Sequence, residues 1–129
     1  MRRDARELAF KLIFESEFNS QIDVELSFMS DLEEVVLTDE EKKFASQLFE
    51  LYQYNKEEIE DEISIRLKGY ELNRVYKVDI ALLKLALTEL KYYKKTPAPV
   101  VINETLELCK KYSTENSPKF LNGVLGALV

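Results

Sequence analysis

The chain has 129 residues, of which 46% are hydrophobic and 33% are charged, the balance of one globular domain spanning residues 1–129. It contains no histidine and a single cysteine, Cys109, which excludes an internal disulfide and the commonest catalytic base and metal ligand. No run approaches the roughly twenty apolar residues of a membrane span, and the N-terminal residues lack the apolar core of a signal peptide. We therefore expect a cytoplasmic protein without a membrane anchor.

The first predicted helix covers residues 2–18, where apolar residues recur at spacings of three and four. Phe10, Phe14 and Phe18 form a second row at i, i+4, which makes the apolar stripe wider than one core contact requires. A short helix is predicted next, over about residues 21–32.

The following two helices are predicted from their capping residues. Thr38 with Glu41 makes a capping box ahead of FASQLFELY, and Asn55 is placed to cap the acidic helix KEEIEDEISIRL. The acidic residues of that helix lack the loop spacing and the glycine of a calcium-binding EF-hand, so a solvated helix face is the preferred interpretation.

The second half of the chain continues with helical patterns. VDIALLKLALTELKYY is apolar around most of its circumference, as expected of a central helix surrounded by others. TPAPV ends it, Pro99 suits the first turn of the next helix, and Ser117 with Pro118 starts the last one. Since no segment alternates long enough to predict a strand, the sequence predicts an all-α fold of about seven helices.

The net charge of −6 is unevenly distributed along the chain. Residues 21–65 carry three basic and fourteen acidic residues, a net −11, whereas residues 66–129 carry eleven basic and six acidic residues, a net +5. The chain nevertheless begins with three arginines in its first six residues. This polarity would allow a polyanion to bind the basic parts while the acidic block faces away.

Catalytic chemistry is poorly represented. Without histidine, Cys109 has no partner for a nucleophile–base pair, and the histidine-containing metal motifs are excluded. The glycine pair in NGVLG follows no strand and is a weak phosphate-loop signal. We therefore expect no enzyme, no metal site and no cofactor.

Three ordered stretches of the sequence resemble the NusB family of bacterial transcription antitermination factors. They are RRDAR at the start, RVYKVDIALLKLALTEL in the middle, and PAPVVINETLELCKKY followed by SPKFLNGVL at the end. The resemblance implies two three-helix bundles packed across each other, plus a short extra helix. It also implies binding of the boxA segment of ribosomal RNA leader transcripts together with the ribosomal small-subunit protein NusE, in a complex with RNA polymerase and other Nus factors.

The resemblance assigns RNA contact to the two ends of the sequence. Arg2, Arg3 and Arg6 share one helix face near an N-terminus, where the helix dipole favours anions and an arginine fork suits phosphate. In the last helix, Lys119 offers phosphate a charge and Phe120 offers an unpaired base a flat face. A solvated helix start and a core position for Phe120 remain the alternatives.

Three further positions follow from the family pattern. Asn116 stands where family members often have an aspartate beside the RNA, and because an amide does not repel phosphate, we expect no loss of RNA binding. Asp79 and Phe14 match positions that face the NusE partner. A carboxylate near the start of a helix also favours its dipole, and Phe14 also suits the core, so structural roles stay open for both.

Two classes of function remain after these considerations. One is an antitermination factor that binds boxA RNA with NusE, and the other is a helical protein-interaction module without direct RNA contact. Some family members form homodimers that cover the RNA patch, and the sequence leaves monomer or dimer open. We expect the acidic block to face away from bound RNA, because phosphates are repelled within about 10 Å at 0.1 M salt.

Overall fold

A computed structural model of the chain describes residues 2–18, 37–67 and 75–127. Its helices within those ranges are α1 (Arg2–Ser16), α2 (Asp39–Tyr54), α3 (Lys56–Arg66), α4 (Lys77–Thr88), α5 (Ala98–Tyr112) and α6 (Ser117–Gly126). All regular structure in this part of the chain is helical, which confirms the predicted all-α class. The predicted helix over residues 21–32 lies outside the described residues.

The helix α4 is central, because it contacts each of the other five described helices. Every residue from Asp79 to Thr88 is buried, which explains why the sequence is apolar on all sides of this helix and confirms the prediction. A π-helical turn, Glu89–Tyr93, continues α4. The turn ends at Lys94, whose left-handed φ of 60° redirects the chain toward α5.

The helices pack in two groups that meet along α4. In one group α4, α5 and α6 contact one another, and in the other α1 packs against α2 while both contact α4. Fully buried side chains such as Ile13 of α1, Phe49 of α2 and Leu82 of α4 supply the core. This arrangement agrees with the expected pair of bundles packed across each other.

The helix ends follow the predicted capping residues with one exception. Thr38 and Glu41 form the predicted capping box through two hydrogen bonds of 3.1 Å, and Pro99 and Pro118 lie in the first turns of α5 and α6. The prediction that Asn55 caps α3 with its side chain is wrong. Its Nδ2 instead donates back to the Leu51 carbonyl at 2.9 Å, which satisfies one of the free carbonyls at the end of α2 and orients the side chain toward that helix.

The acidic helix α3 is only partly a solvated face. Glu60 pairs with Lys84 of α4 at 3.3 Å, and Glu62 pairs with Lys91 of the π-helical turn at 2.8 Å. Lys84 is also bonded to Glu17, which follows α1. Two acidic residues of α3 therefore attach this helix to the central one, while others such as Glu58 are exposed.

A second polar contact joins α1 to α5. Glu7 accepts hydrogen bonds from Lys111 and Tyr112. Burial alone would raise the pKa of Glu7, but these two donors outweigh it and lower that pKa. Burial and then the hydrogen bond to Glu7 raise the pKa of Tyr112 to about 12, so the phenol stays a donor at neutral pH.

Across the three ranges described, no helix has the length and apolarity needed to cross a membrane.

Candidate nucleic-acid interface

The start of α1 presents two exposed arginines, Arg2 and Arg3. Arg3 Nε donates to Glu104 Oε2 at 2.8 Å and Arg3 Nη2 donates to Glu104 Oε1 at 3.2 Å, and this pairing raises the pKa of Arg3. The fork uses two of the five N–H donors of the guanidinium, and half of the side chain stays exposed. Arg3 can therefore bind an anion without leaving Glu104.

Arg2 is oriented by stacking. Its Cζ lies 4.5 Å from the centroid of the Phe44 ring of α2, and Phe44 packs edge-on against Tyr93 with centroids 5.1 Å apart. Stacking fixes the plane of a guanidinium while its N–H edge stays available for hydrogen bonds. Arg2 and Arg3 together are called the α1 basic site below.

Arg6 differs from its two neighbours, because it is only 6% exposed. Its Nε donates to Glu89 Oε1 at 2.8 Å and its Nη2 donates to Glu89 Oε2 at 2.7 Å, while Thr96 Oγ1 also donates to Glu89 at 2.6 Å. Burial disfavours the charged form, but the bonds and charge of Glu89 outweigh it and raise the pKa of Arg6. The expected single patch of three arginines is not formed, since α1 turns this position inward, and RNA contact by Arg6 stays a prediction.

The last helix borders an open groove of about 640 Å³, called the α3–α6 groove. The described residues that line it are Arg66, Leu67, Asn116, Lys119, Phe120, Gly123, Val124 and Ala127. Asn116 and Lys119 are exposed, and Phe120 is half-buried against the core while it also lines the groove. The core interpretation of Phe120 therefore holds for part of its ring, and stacking of a base on the rest stays a prediction.

Arg66 is a groove residue that the sequence did not identify. It ends the acidic helix α3, and nothing in the local pattern relates that position to a helix about fifty residues later. Only the packing of α3 beside α6 brings Arg66 and Lys119 to the same groove.

The α1 basic site and the α3–α6 groove lie at different positions along the axis of α5. Arg3 contacts Glu104 in the first half of α5, whereas α6 and its groove begin beyond the end of α5 at Tyr112. Eight residues of α-helix separate these two points, a rise of about 12 Å. A nucleic-acid strand that contacts both surfaces must therefore bridge at least this rise along α5.

Asp79 has a clear internal role. Its carboxylate accepts hydrogen bonds from Ser113 Oγ and, at 2.9 Å, from Ser117 Oγ, which ties the start of α4 to the connection between α5 and α6. Asp79 is 5% exposed. Burial and then the charge of Asp79 raise the pKa of the Cys109 thiol to about 11, which disfavours the nucleophilic thiolate at neutral pH. Contact of Asp79 with a partner stays a prediction.

Phe14 lies where an aromatic row passes from the core to the surface. Its ring centroid is 6.2 Å from that of buried Phe10 and 5.2 Å from that of Phe18, which is 66% exposed. Phe14 itself is partly buried against the core. The outer end of this row is exposed, and contact of Phe14 with a partner also stays a prediction.

The described part of the chain is all-helical, with exposed arginines at a helix start and a basic groove beside a partly exposed aromatic ring. These features define the class of helical nucleic-acid-binding proteins. The chain belongs to the NusB family, whose family model matches residues 3–129.

Comparison with known proteins agrees over nearly the whole length. A transcription antitermination protein NusB from Clostridium botulinum (strain Kyoto / Type A2) is 37% identical over 141 residues, covering 99% of both chains. The protein of that name from Acetivibrio thermocellus is 38% identical over 128 residues, covering 99% of this chain and 88% of its own length. Proteins of this family are antitermination factors rather than enzymes, in agreement with the prediction.

Solved structures show the same fold. T. maritima NusB superposes with a TM-score of 0.85 at 37% identity, covering 99% of this chain and 89% of that one. A crystal structure of the antitermination factors NusB and NusE in complex with dsRNA contains a chain with a TM-score of 0.87 at 27% identity. That match covers 98% of this chain and 94% of the other.

Proposed function

We propose that this chain is a cytoplasmic transcription antitermination factor that binds boxA RNA of ribosomal RNA leader transcripts together with NusE. It acts as one domain over residues 1–129, within a complex of RNA polymerase and other Nus factors. The observation that carries the proposal is the likeness over nearly the whole chain to NusB proteins, one of which was solved with NusE and double-stranded RNA.

The described surfaces supply what RNA binding requires. Arg2 and Arg3 offer phosphate planar donor forks that are already oriented by Phe44 and Glu104. In the α3–α6 groove, Lys119 offers charge, Asn116 offers an uncharged hydrogen-bonding amide, and Phe120 offers a ring face on which a base can stack. Arg6 contributes only where its ion pair with Glu89 opens.

Removing Arg3 is expected to weaken RNA binding. Arg3→Ala should lower affinity for boxA RNA about tenfold, because a hydrogen bond to a charged group is lost. It should also reduce the slope of log affinity against log salt by about 0.7 for each lost phosphate contact. Fluorescence titration at several salt concentrations measures both quantities, with single-stranded boxA RNA and its duplex compared as ligands.

The matched control is Lys56→Ala, which removes one exposed charge at the start of α3. It should leave both the affinity and the salt slope nearly unchanged. If the double variant Arg2→Ala/Arg3→Ala bound RNA like the unmodified chain, the α1 basic site would be only a solvated helix start. The protein-interaction module without RNA contact would then be favoured.

The same proposal places Phe14 and Asp79 at the NusE contact. Phe14→Ala is expected to weaken NusE binding by about 2 kcal/mol, the loss typical of a buried aromatic anchor. Calorimetric titration with NusE measures this loss, and thermal melting of the same variant separates it from unfolding. Tyr54→Ala removes another exposed aromatic residue, at the end of α2, and serves as the control.

Unchanged NusE affinity with a lowered melting temperature would mean that Phe14 has only a structural role. Asp79→Asn tests the NusE contact less directly, because the substitution also disturbs the hydrogen bonds from Ser113 and Ser117. A loss of NusE affinity larger than its loss of stability would assign Asp79 to the contact.

A further inference from the structure

Each of the two helices that border the α3–α6 groove contributes a positive charge, which suits binding of phosphate. Arg66 lies at the α3 side and Lys119 at the α6 side, and the described lining residues include no carboxylate. The other lining side chains are apolar or neutral, with the Phe120 ring among them. A volume of about 640 Å³ lies within the range of about 300–1,000 Å³ typical of ligand pockets.

Arg66 is only loosely held within the protein. Its Nη2 lies 3.5 Å from Glu62 Oε1, longer than a normal hydrogen bond, and its buried Nε has no hydrogen-bond partner within residues 2–18, 37–67 and 75–127. Glu62 is already bonded to Lys91 at 2.8 Å, and this bond is the main cause of the lowered pKa of Glu62. Among the described residues, Glu62 is thus the carboxylate that pairs with Arg66, and it is shared with Lys91.

We infer that Arg66 is an RNA-binding residue of this chain, which clamps a backbone phosphate from the side of the groove opposite Lys119 while the attached base lies against Phe120. The inference rests on the proposed function and adds α3 to the RNA surface. It also means that the acidic helix meets RNA with its last residue, while its exposed acidic residues, such as Glu58, stay outside the groove lining.

The test uses Arg66→Met, which keeps the apolar stem and removes the charge. Its control is Lys56→Met, at the other end of α3 and about 15 Å away along the helix axis. Arg66→Met should weaken binding of single-stranded boxA RNA about tenfold and reduce the salt slope by about 0.7, whereas the control should do neither. Arg66→Lys should give an intermediate affinity, because it keeps the charge but loses the fork.

A double-variant comparison locates the contact. The loss caused by Arg66→Met should shrink when Phe120→Leu is also present, since both residues act on one nucleotide, and should persist unchanged beside Arg3→Ala. Melting temperatures verify that each variant is folded.

The outcomes separate the two proposals. If Arg3→Ala weakens binding while Arg66→Met behaves like Lys56→Met, the role of Arg66 is overturned and the proposed function stands. If the unmodified chain binds neither single-stranded nor duplex RNA, with or without NusE, the proposed function fails and the role of Arg66 fails with it.

Discussion

Arg6→Ala and Glu89→Ala are each expected to lower the free energy of unfolding by about 3–5 kcal/mol, because each leaves a buried charge without its partner. The side chains are 8% and 1% exposed, and the pair is bidentate. Denaturant unfolding at neutral pH measures the loss. Arg6→Met/Glu89→Leu should recover much of it, since burying two apolar side chains removes the unpaired charge altogether.

The matched control for this pair lies one turn earlier on the same helix. Arg3 and Glu104 form a fork of the same type, but Arg3 is half exposed and solvent screens its charge, so Arg3→Ala should lower stability far less than Arg6→Ala does. Equal losses from Arg6→Ala and Arg3→Ala would contradict the structural role of Arg6. Because Arg6 variants change stability, Arg3 is the cleaner site for testing RNA contact.

Much of the fold was predictable, because local patterns determine it. The apolar circumference of α4 requires neighbours on all sides, and the capping box of Thr38 and Glu41 fixes where α2 begins. The early positions of Pro99 and Pro118 similarly mark the starts of α5 and α6.

The candidate site was predictable only in part, because spacing along a helix identifies a face but not what packs against it. Arg3 and Arg6 are three residues apart and share a face by sequence, yet Glu89 from the π-helical turn draws one of them into the core. Arg66 is the opposite case, because the sequence pattern does not relate it to Lys119, yet both residues line the same groove in the fold. Both depend on contacts between residues far apart in the chain.

Lys84 provides the second large expected effect. It is fully buried in α4, bonded to Glu17 and paired with Glu60 at 3.3 Å, and its Nζ lies 5.4 Å from the centroid of the Tyr52 ring. Glu17→Gln/Glu60→Gln should lower the free energy of unfolding by about 3–5 kcal/mol, because it leaves a buried ammonium without a counter-charge. Lys84→Met should cost less, since Glu17 and Glu60 can reach solvent.

The pH dependence of stability distinguishes the two Lys84 variants. Burial opposes the charge of Lys84, but Glu17 and Tyr52 together outweigh burial and raise the lysine pKa above 10.5. The stabilisation from this group is therefore fully present at neutral pH and is lost only as pH rises through the folded-state pKa. In Glu17→Gln/Glu60→Gln, Tyr52 still opposes burial but Glu17 does not, so we expect burial to prevail and the lysine pKa to fall below that of the unfolded chain. Stability should then increase as pH rises.

The expected result is opposite slopes of stability against pH for the unmodified chain and the double glutamine variant in alkaline solution, measured by denaturant unfolding. Parallel slopes would mean that Lys84 does not hold its charge through these carboxylates. The result also bears on RNA binding, because Glu60 and Arg66 lie on the same helix and Lys84 fixes that helix against α4. Loss of this anchor should weaken RNA binding in the α3–α6 groove while the contribution of Arg3, held separately by Glu104, persists.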